Sequence, residues 1–393
     1  MKDIGRNDPC HCGAKKPGGK PVKYKKCHWL KESQPVSDEV MRELIKVLAK
    51  NQEHEQSMRE RGIFMNYVNP ATYTNPKTGQ GVKAWALGSR LFHTRPEHET
   101  FHEFVVSHLQ REVLGKEWWE KEARASQKHF IFECFTKWEE WRRKNAIEGE
   151  KINEHVYSGY PDGWAQTLVS LAFDIATLEH AKKLPDHLVN RLKNRGEYQG
   201  AHYEIAVAAI FARLGCNIDF LDDKKTEEKH CEFIATHAET GVRIAVEAKS
   251  RQRPGVKHRE GSAEPEQLLK GDVGRLFRDA LAKNPQDITF IIFIDVNAPL
   301  TPQTPMQEKP WYKDVKVLMA QYPESSEMTP EKYTAAFFTN FSPHYNAERT
   351  TDPNEYFVVL PQFAMNPMPN PVFSEMLLAA INNYGFVPDL KEV

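Results

Sequence analysis

The spacing of apolar residues changes near Arg195, and the change separates two kinds of predicted structure. From about residue 97 to residue 194, apolar side chains recur at steps of three and four, which is typical of amphipathic helices. Beyond Arg195 the pattern indicates a helix over 197–214 and then short apolar strands that alternate with helices. We therefore predict an α/β chain (α+β overall) in which a helical subdomain precedes a sheet-containing core.

The elements of the second half follow from the same pattern and from the turn residues. Gly215 ends the first helix, and Glu239 with Thr240 forms the turn of a hairpin. Strands are predicted over residues 217–221, 231–237, 242–249, 288–296, 335–339 and 356–360. Helices are predicted over residues 268–283 and 373–384, with a Pro-rich linker over residues 299–310. This half thus comprises a core over 196–300 and a C-terminal α/β extension over 301–393.

The first half divides into three predicted segments. Residues 1–32 are polar, basic and rich in Gly and Pro. A helical linker over 33–62 follows, with Ser37 as N-cap and a helix over 38–61. Residues 63–195 form the mainly helical subdomain, whose first part, 63–96, carries turn signals and is irregular or contains a short hairpin.

The N-terminal segment has too few apolar residues to form a core unaided. The segment holds two pairs of soft or borderline ligands, and four such ligands are what a tetrahedral structural zinc site requires. Metal binding would supply the folding free energy that the missing apolar core cannot. The stretches IGRNDPCHCG and YKKCH resemble the zinc-binding SEC-C motif, although the loop between the pairs is longer than usual. The resemblance implies that Zn²⁺ is bound by Cys10, Cys12, Cys27 and His28, with His11 as a competing ligand.

Charge is distributed unevenly along the chain. The formal net charge of -1 argues against a protein that binds nucleic acid over its whole surface. Residues 1–31, however, hold nine Lys and Arg against two Asp, a net charge of +7. The cluster that includes Lys23, Lys25 and Lys26 either contacts the phosphates of an anionic partner or is a solvated face. Modules that resemble SEC-C also dock on proteins and ribosomes, so these partners are alternatives.

One strand ends in charged residues. Glu247 and Lys249 share a face of the strand over 242–249, where they are costly to bury without partners. A two-residue turn centred on Glu239 and Thr240 sets Glu232 of the preceding strand opposite Glu247. A turn shifted by one residue sets Glu232 opposite Lys249, and in both registers the three side chains share a face. A three-residue loop would turn Glu232 to the opposite face.

Two carboxylates and a lysine on one face suit a hard divalent cation. Mg²⁺ or Mn²⁺ would bind Glu232 and Glu247 and keep several waters. Such a cation polarises a phosphoryl oxygen and lowers the pKa of a bound water. Lys249 would orient or deprotonate that water, or stabilise developing charge. The structural alternative for the same residues is a cross-strand salt bridge.

The order helix, strand, hairpin, helix and strand over about 196–297 resembles the PD-(D/E)XK nuclease superfamily, which has the restriction-endonuclease-like fold. The resemblance implies a mixed sheet flanked by helices. It also implies that the catalytic residues are Glu204, Glu232, Glu247 and Lys249. Glu232 stands where the family usually has Asp, which puts the metal geometry in question. Asp222 or Asp223 would substitute as ligand if the strand register differed.

A second basic run, KSRQRPGVKHR, begins at Lys249 and predicts phosphate contacts by Arg251, Arg253, Lys257 and Arg259. We therefore expect a metal-dependent nuclease that hydrolyses phosphodiester bonds, in DNA rather than RNA, with bacterial defence or repair as its setting. The resemblance is also compatible with a homodimer. The alternative is a non-catalytic docking protein with a degenerate nuclease fold that binds nucleic acid, a ribosome or a protein.

A remote third function is a zinc protease, because His98-Glu99-Thr100-Phe101-His102 matches the HExxH pattern. The charged neighbours of this motif argue against it, since the corresponding protease helices are more apolar. No apolar run approaches the roughly 20 residues of a membrane span, and the N-terminus lacks the apolar core of a signal peptide. We therefore expect a cytoplasmic protein without a membrane partner.

Overall fold

The computed structural model describes residues 71–74, 81–93, 99–221, 230–322, 324–346 and 354–388, with isolated residues at 20, 21, 23, 53 and 56. The chain divides into a unit of residues 1–54 and a unit of residues 55–392, and every element below belongs to the second. The predicted helix over 38–61 lies outside the described residues except for Glu53 and Gln56, which are helical.

A small antiparallel sheet precedes the helices. Its strands are β1 (Ala71–Thr74), β2 (Gly81–Leu87) and β3 (Arg90–His93), paired in that order. The predicted short hairpin is thus present as β2 and β3, and β1 adds a third strand. Trp85 of β2 is buried and stacks on Phe104, so the sheet packs on the first helix of the next segment.

The helical segment has five α-helices and a π-helical stretch over Leu109–Leu114. The helices are α1 (Phe101–His108), α2 (Lys116–Arg124), α3 (Phe130–Glu148), α4 (Gly163–His180) and α5 (Asp186–Lys193). Two short strands, β4 (Glu150–Lys151) and β5 (Tyr157–Ser158), pair between α3 and α4. The predicted helical character of residues 97–194 is confirmed. Polar side chains cap the starts of α1, α3 and α4, as where Asp162 accepts a hydrogen bond from the backbone N–H of Ala165.

The second half forms a six-stranded mixed sheet flanked by helices, which confirms the predicted α/β class. Its strands are β6 (Cys216–Phe220), β7 (Phe233–His237), β8 (Arg243–Ser250), β9 (Thr289–Asp295), β10 (Ala335–Asn340) and β11 (Glu355–Val359), in that spatial order. β6, β7 and β8 are antiparallel neighbours, β8, β9 and β10 are parallel, and β11 is antiparallel to β10. The helices are α6 (Tyr198–Arg213), α7 (Pro265–Leu268), α8 (Gly274–Leu281), α9 (Pro310–Met319) and α10 (Pro371–Asn382).

The sheet separates two hydrophobic cores. Alternate residues of the fully buried strand β9 face opposite sides, so Phe293 joins the core with α6 and Ile292 the core with α8 and α9. α6 is buried along almost its whole length because it packs on β8 and contacts α4 and α5. Within the described residues, no helix is long and apolar enough to cross a lipid bilayer.

Two sequence expectations about this half are wrong. The single helix predicted over 268–283 is two helices, α7 and α8, because Gly271 lies against the backbone of Trp311, where a Cβ would approach the carbonyl oxygen to 2.3 Å. The Gly271 N–H donates to Asp314 instead of continuing a helix. The sequence pattern also gave no indication of α9. Furthermore, β10 and β11 extend the same sheet, so residues 196–300 do not form it alone.

Candidate functional site

The β7–β8 hairpin has the register that places its two glutamates side by side. Phe233 pairs with Val246 and Thr236 with Arg243, which is the register predicted for a turn centred on Glu239 and Thr240. This ladder ends where Glu232 donates its backbone N–H to the carbonyl of Val246 at 3.0 Å. Glu232, which immediately precedes β7, therefore lies opposite Glu247 near the end of β8.

Glu232, Glu247 and Lys249 converge as the sequence predicts. Lys249 Nζ lies 2.9 Å from Glu232 Oε1 and 2.7 Å from Glu247 Oε1. Ala245, two residues before Glu247, belongs to the core shared with α8, so the alternation of β8 directs these charged side chains to the same face of the sheet. The three charges therefore form one cluster at the end of the hairpin.

A second lysine, which the sequence analysis missed, completes the cluster. Lys283 follows α8 by two residues, and its Nζ lies 3.3 Å from Glu232 Oε1 and 3.1 Å from Glu247 Oε1. Nothing in the local pattern signals this role, because Lys283 is an ordinary lysine after a helix. Its position depends on how α8 packs on β8 and β9. Two ammonium groups thus face two carboxylates.

Glu204 of α6 is held by an arginine from the preceding helix. Arg191 Nη2 lies 2.8 Å from Glu204 Oε1, and Nη1 binds the other oxygen, so the guanidinium engages both carboxylate oxygens. Burial raises the pKa of Glu204, Arg191 lowers it, and the nearby charge of Glu232 raises it further. Glu204 is therefore electrostatically part of the site, although Arg191 engages both of its oxygens.

The two glutamates of the hairpin have pKa values that shift in opposite directions. Burial and the charge of Glu232 raise the pKa of Glu247, against the lowering effect of the lysines. Burial also disfavours ionised Glu232, but Lys249 and Lys283 outweigh it and lower the pKa of that carboxyl. Burial alone would lower the pKa of Lys249, yet the two carboxylates raise it above its usual value. Lys249 is therefore firmly protonated in this arrangement.

The donor set fits a two-carboxylate site for a hard cation. Glu247 is 0% exposed, and its Oε2 accepts no hydrogen bond from the residues that the structure describes. A buried carboxylate oxygen without a partner is costly unless a cation approaches it. Mg²⁺ needs only one or two protein carboxylates. No group of three or more His, Cys, Asp or Glu within the described ranges is arranged as a metal site.

The predicted basic run separates into buried and accessible residues. Arg253 is 1% exposed and donates to the backbone carbonyls of Gln267 and Val296 at 3.0 and 2.9 Å, and to two further carbonyls. Lys257 is also buried, so neither residue belongs to an open phosphate-binding surface. Arg251 is half-buried and pairs with Asp272, whereas Arg259 is exposed.

The remaining predicted ligands and contacts are only partly described. The zinc ligands Cys10, Cys12, Cys27 and His28 lie outside the described residues, as do His11, Lys25, Lys26, Asp222 and Asp223. Lys23 is described and exposed. These predictions therefore stay predictions.

The protease pattern does not lie on one helix. Thr100 is the N-cap of α1 and forms a capping box with Glu103, so Glu99 precedes the helix. His98 lies outside the described residues. His102 is on α1 and its Nε2 lies 3.0 Å from the carbonyl oxygen of Val387. Because Glu99 and Thr100 are not helical, the pattern lacks the continuous helix that would bring two histidines onto one metal.

Comparison of the chain with models of protein families, with curated proteins and with solved structures found no match. The functional assignment therefore depends on the geometry and chemistry of the site itself.

If Glu232 and Glu247 bind a divalent cation as the sequence predicts, Lys283 would compete with it for the same carboxylates, so removing Lys283 should strengthen metal binding. We expect Lys283→Met to lower the dissociation constant of Mg²⁺ about threefold to tenfold, or roughly 0.7–1.4 kcal/mol, measured by isothermal titration calorimetry. The matched control is Lys270→Met, because Lys270 is exposed. Unchanged or weaker Mg²⁺ binding by Lys283→Met would contradict the competition.

Proposed function

We propose that the protein is a metal-dependent nuclease that hydrolyses phosphodiester bonds, with DNA as the preferred substrate. The observation that carries the proposal is the convergence of Glu232, Glu247 and Lys249 at the end of one hairpin, with the buried Glu247 Oε2 unpartnered within the described chain. The series α6, three antiparallel strands, α8 and parallel β9 supports the resemblance to the restriction-endonuclease-like fold.

Each side chain of the site has a plausible chemical task in this reaction. Glu232 and Glu247 would hold Mg²⁺ or Mn²⁺, which when bound polarises a phosphoryl oxygen and lowers the pKa of a water. Lys249, kept protonated by the carboxylates, would donate hydrogen bonds to the phosphoryl group and stabilise the negative charge that develops on it. Glu204, fixed by Arg191, would orient a water. That water would attack phosphorus as the bond to the leaving oxygen breaks, with its proton passing to bulk water and bulk water protonating the leaving oxygen.

A cleavage panel tests the proposal. Full-length protein is incubated with single- and double-stranded DNA and RNA, with Mg²⁺, with Mn²⁺ or with chelator. We expect metal-dependent cleavage of at least one DNA substrate and a loss of about 10²–10³-fold in Lys249→Met, because one donor to the transition state is removed. Lys270→Met should cleave as wild type does. The proposal fails if no substrate is cut, or if Lys249→Met cuts as fast as wild type.

A specific observation favours a non-catalytic alternative. Lys249 and Lys283 already neutralise the two carboxylates, which is how a purely structural ion-pair cluster would look. A docking protein of this kind would bind nucleic acid in a salt-sensitive way. Binding would persist in Glu247→Ala, fail without residues 1–32, and be accompanied by no cleavage.

The N-terminal segment is proposed to bind one zinc ion per chain. Its support is the pairing of Cys10-x-Cys12 with Cys27-His28 in a segment that lacks apolar residues. Elemental analysis of purified full-length protein should find one zinc, and Cys10→Ser should lose it. Cys216→Ser is the matched control, since Cys216 is a buried thiol in β6. Protein that contains no zinc after purification would contradict the assignment.

A further inference from the structure

A cavity lies beside the start of α6, next to the charged end of the β7–β8 hairpin. It has a volume of about 410 Å³, and its walls include Arg195, Gln199, Lys257, His258 and Arg259. Gln199, in the first turn of α6, donates from Nε2 to Ser250 Oγ at 2.9 Å. Since Ser250 directly follows Lys249, the cavity begins where the charged hairpin ends.

Lys257 is the most unusual residue of this cavity. It is 7% exposed, and its ammonium group makes no hydrogen bond or ion pair with any residue in the described part of the chain. Its Nζ lies over the ring of Phe130, 5.8 Å from the ring centroid. A buried ammonium without a counter-charge is costly. Burial accordingly lowers the pKa of Lys257.

The one carboxylate that favours charged Lys257 is engaged elsewhere. Asp295 raises the pKa of Lys257 through its charge. Its oxygens, however, accept hydrogen bonds from Ser250 Oγ at 2.7 Å and from the backbone N–H of Asn297 at 3.0 Å. The ammonium of Lys257 therefore lacks a direct anionic partner among the described side chains.

Two neighbouring side chains also retain unused donors. His258 Nε2 accepts the backbone N–H of Phe130 at 2.7 Å, so the neutral ring carries its proton on Nδ1. Burial and Arg195 keep the ring neutral by lowering the pKa of His258 to about 4. Arg195 pairs with Glu122 through Nη2, but its buried Nε has no partner within the described chain. The cavity thus offers hydrogen-bond donors around Lys257.

The loop that presents these residues has a costly backbone. Lys257 and His258 are consecutive non-glycine residues with φ of +44° and +72°. Each such residue costs about 1–3 kcal/mol, and such strain concentrates at ligand sites. The loop is closed by a hydrogen bond of 2.8 Å from Gly255 N–H to the carbonyl of Arg259. This conformation turns the side chain of Lys257 inward, whereas hydration of its ammonium group would favour an outward orientation.

We propose that this cavity binds a phosphate group of the substrate other than the one that is hydrolysed, with Lys257 as its counter-charge. The charge of Arg195 is neutralised by Glu122, and Glu260 is the one acidic residue of the cavity lining. Lys257 and Arg259 therefore leave the lining with a net positive charge. An anion with several acceptor oxygens matches this set of donors. The identity of the substrate rests on the proposed nuclease function, but binding of phosphate does not.

Phosphate binding is measured first with inorganic phosphate. Isothermal titration calorimetry on full-length protein, at constant ionic strength in chloride, should detect phosphate binding to wild type. We expect Lys257→Met to weaken it at least tenfold and Arg259→Gln severalfold, with Lys270→Met unchanged. Because Met removes an uncompensated buried charge, Lys257→Met should unfold at an equal or higher temperature than wild type. No phosphate binding by wild type, or equal binding by Lys257→Met, would overturn the proposal.

Oligonucleotides then identify the source of the phosphate. Binding of 5′-phosphorylated and 5′-hydroxyl DNA is compared in chelator, where the proposed cleavage cannot occur. A preference of tenfold or more for the 5′-phosphate that disappears in Lys257→Met supports a terminal phosphate. Equal affinities that both fall in Lys257→Met support an internal phosphate. If the affinities for DNA do not fall in Lys257→Met, the phosphate site is overturned, even if wild type cleaves DNA. If the protein binds phosphate but cleaves no substrate, only the nuclease function is overturned.

Discussion

Glu247→Gln is expected to abolish metal-dependent cleavage, with a rate about 10³-fold or more below wild type. The substitution keeps the shape of the side chain and removes the charge that a divalent cation requires. Glu247 is the most buried carboxylate of the cluster, with 0% side-chain exposure against 17% for Glu232. The measurement is the cleavage rate of the best substrate from the panel at saturating Mg²⁺.

The matched control for this variant is Glu239→Gln. Glu239 lies in the turn of the same hairpin and is exposed, so the variant has the same change of charge away from the site. It should cleave at the wild-type rate. Equal rates for Glu247→Gln and wild type would exclude Glu247 as a metal ligand, and equally slow rates for both variants would point to a general effect of charge.

Arg253→Met is expected to destabilise the fold by about 3–5 kcal/mol. The guanidinium of Arg253 donates to four backbone carbonyls, and Met would leave buried acceptors without a donor at roughly 1–3 kcal/mol each. Met is shorter than Arg but similar in volume, so most of the expected effect comes from the loss of donors. Urea unfolding followed by circular dichroism gives the free energy of unfolding.

Arg259→Met is the control for the stability measurement. Arg259 is six residues further along the same loop and is exposed, so its substitution should change the free energy of unfolding by less than about 0.5 kcal/mol. The sequence predicts phosphate contacts by both arginines, and the two variants distinguish such a role from a role in stabilising the fold. If Arg253 served phosphate binding instead of the fold, Arg253→Met would weaken binding of nucleic acid and leave the unfolding midpoint unchanged.

These two arginines show why the basic run was only partly interpretable. A run of Lys and Arg predicts positive potential, but it does not predict which side chains are buried. Arg253 is buried because its guanidinium meets carbonyls from the segment before α8 and from the end of β9. Those carbonyls lie 14 to 44 residues away along the chain. No local pattern records such a contact.

The charged hairpin was predictable for the opposite reason. Side chains alternate along a strand, so Glu232, Glu247 and Lys249 share a face in either of the two registers that a two-residue turn allows, and the structure has one of them. All three residues lie within 18 positions of one another. Local periodicity and one turn therefore determined this part of the candidate site.

The sequence by itself determined the helical segment, the hairpin and the α/β class, because each depends on patterns that repeat within about ten residues. It left the hairpin register open, and the structure selected the one that pairs Phe233 with Val246. Only the tertiary structure decided that β10 and β11 join the sheet, since β10 pairs in parallel with the distant β9, and β11 joins through its antiparallel pairing with β10. It also decided that Lys283 and Arg191 complete the charged cluster and that Lys257 lies buried in a cavity. The physical reason is the same in each case, because burial and ion pairing depend on which distant segments pack together.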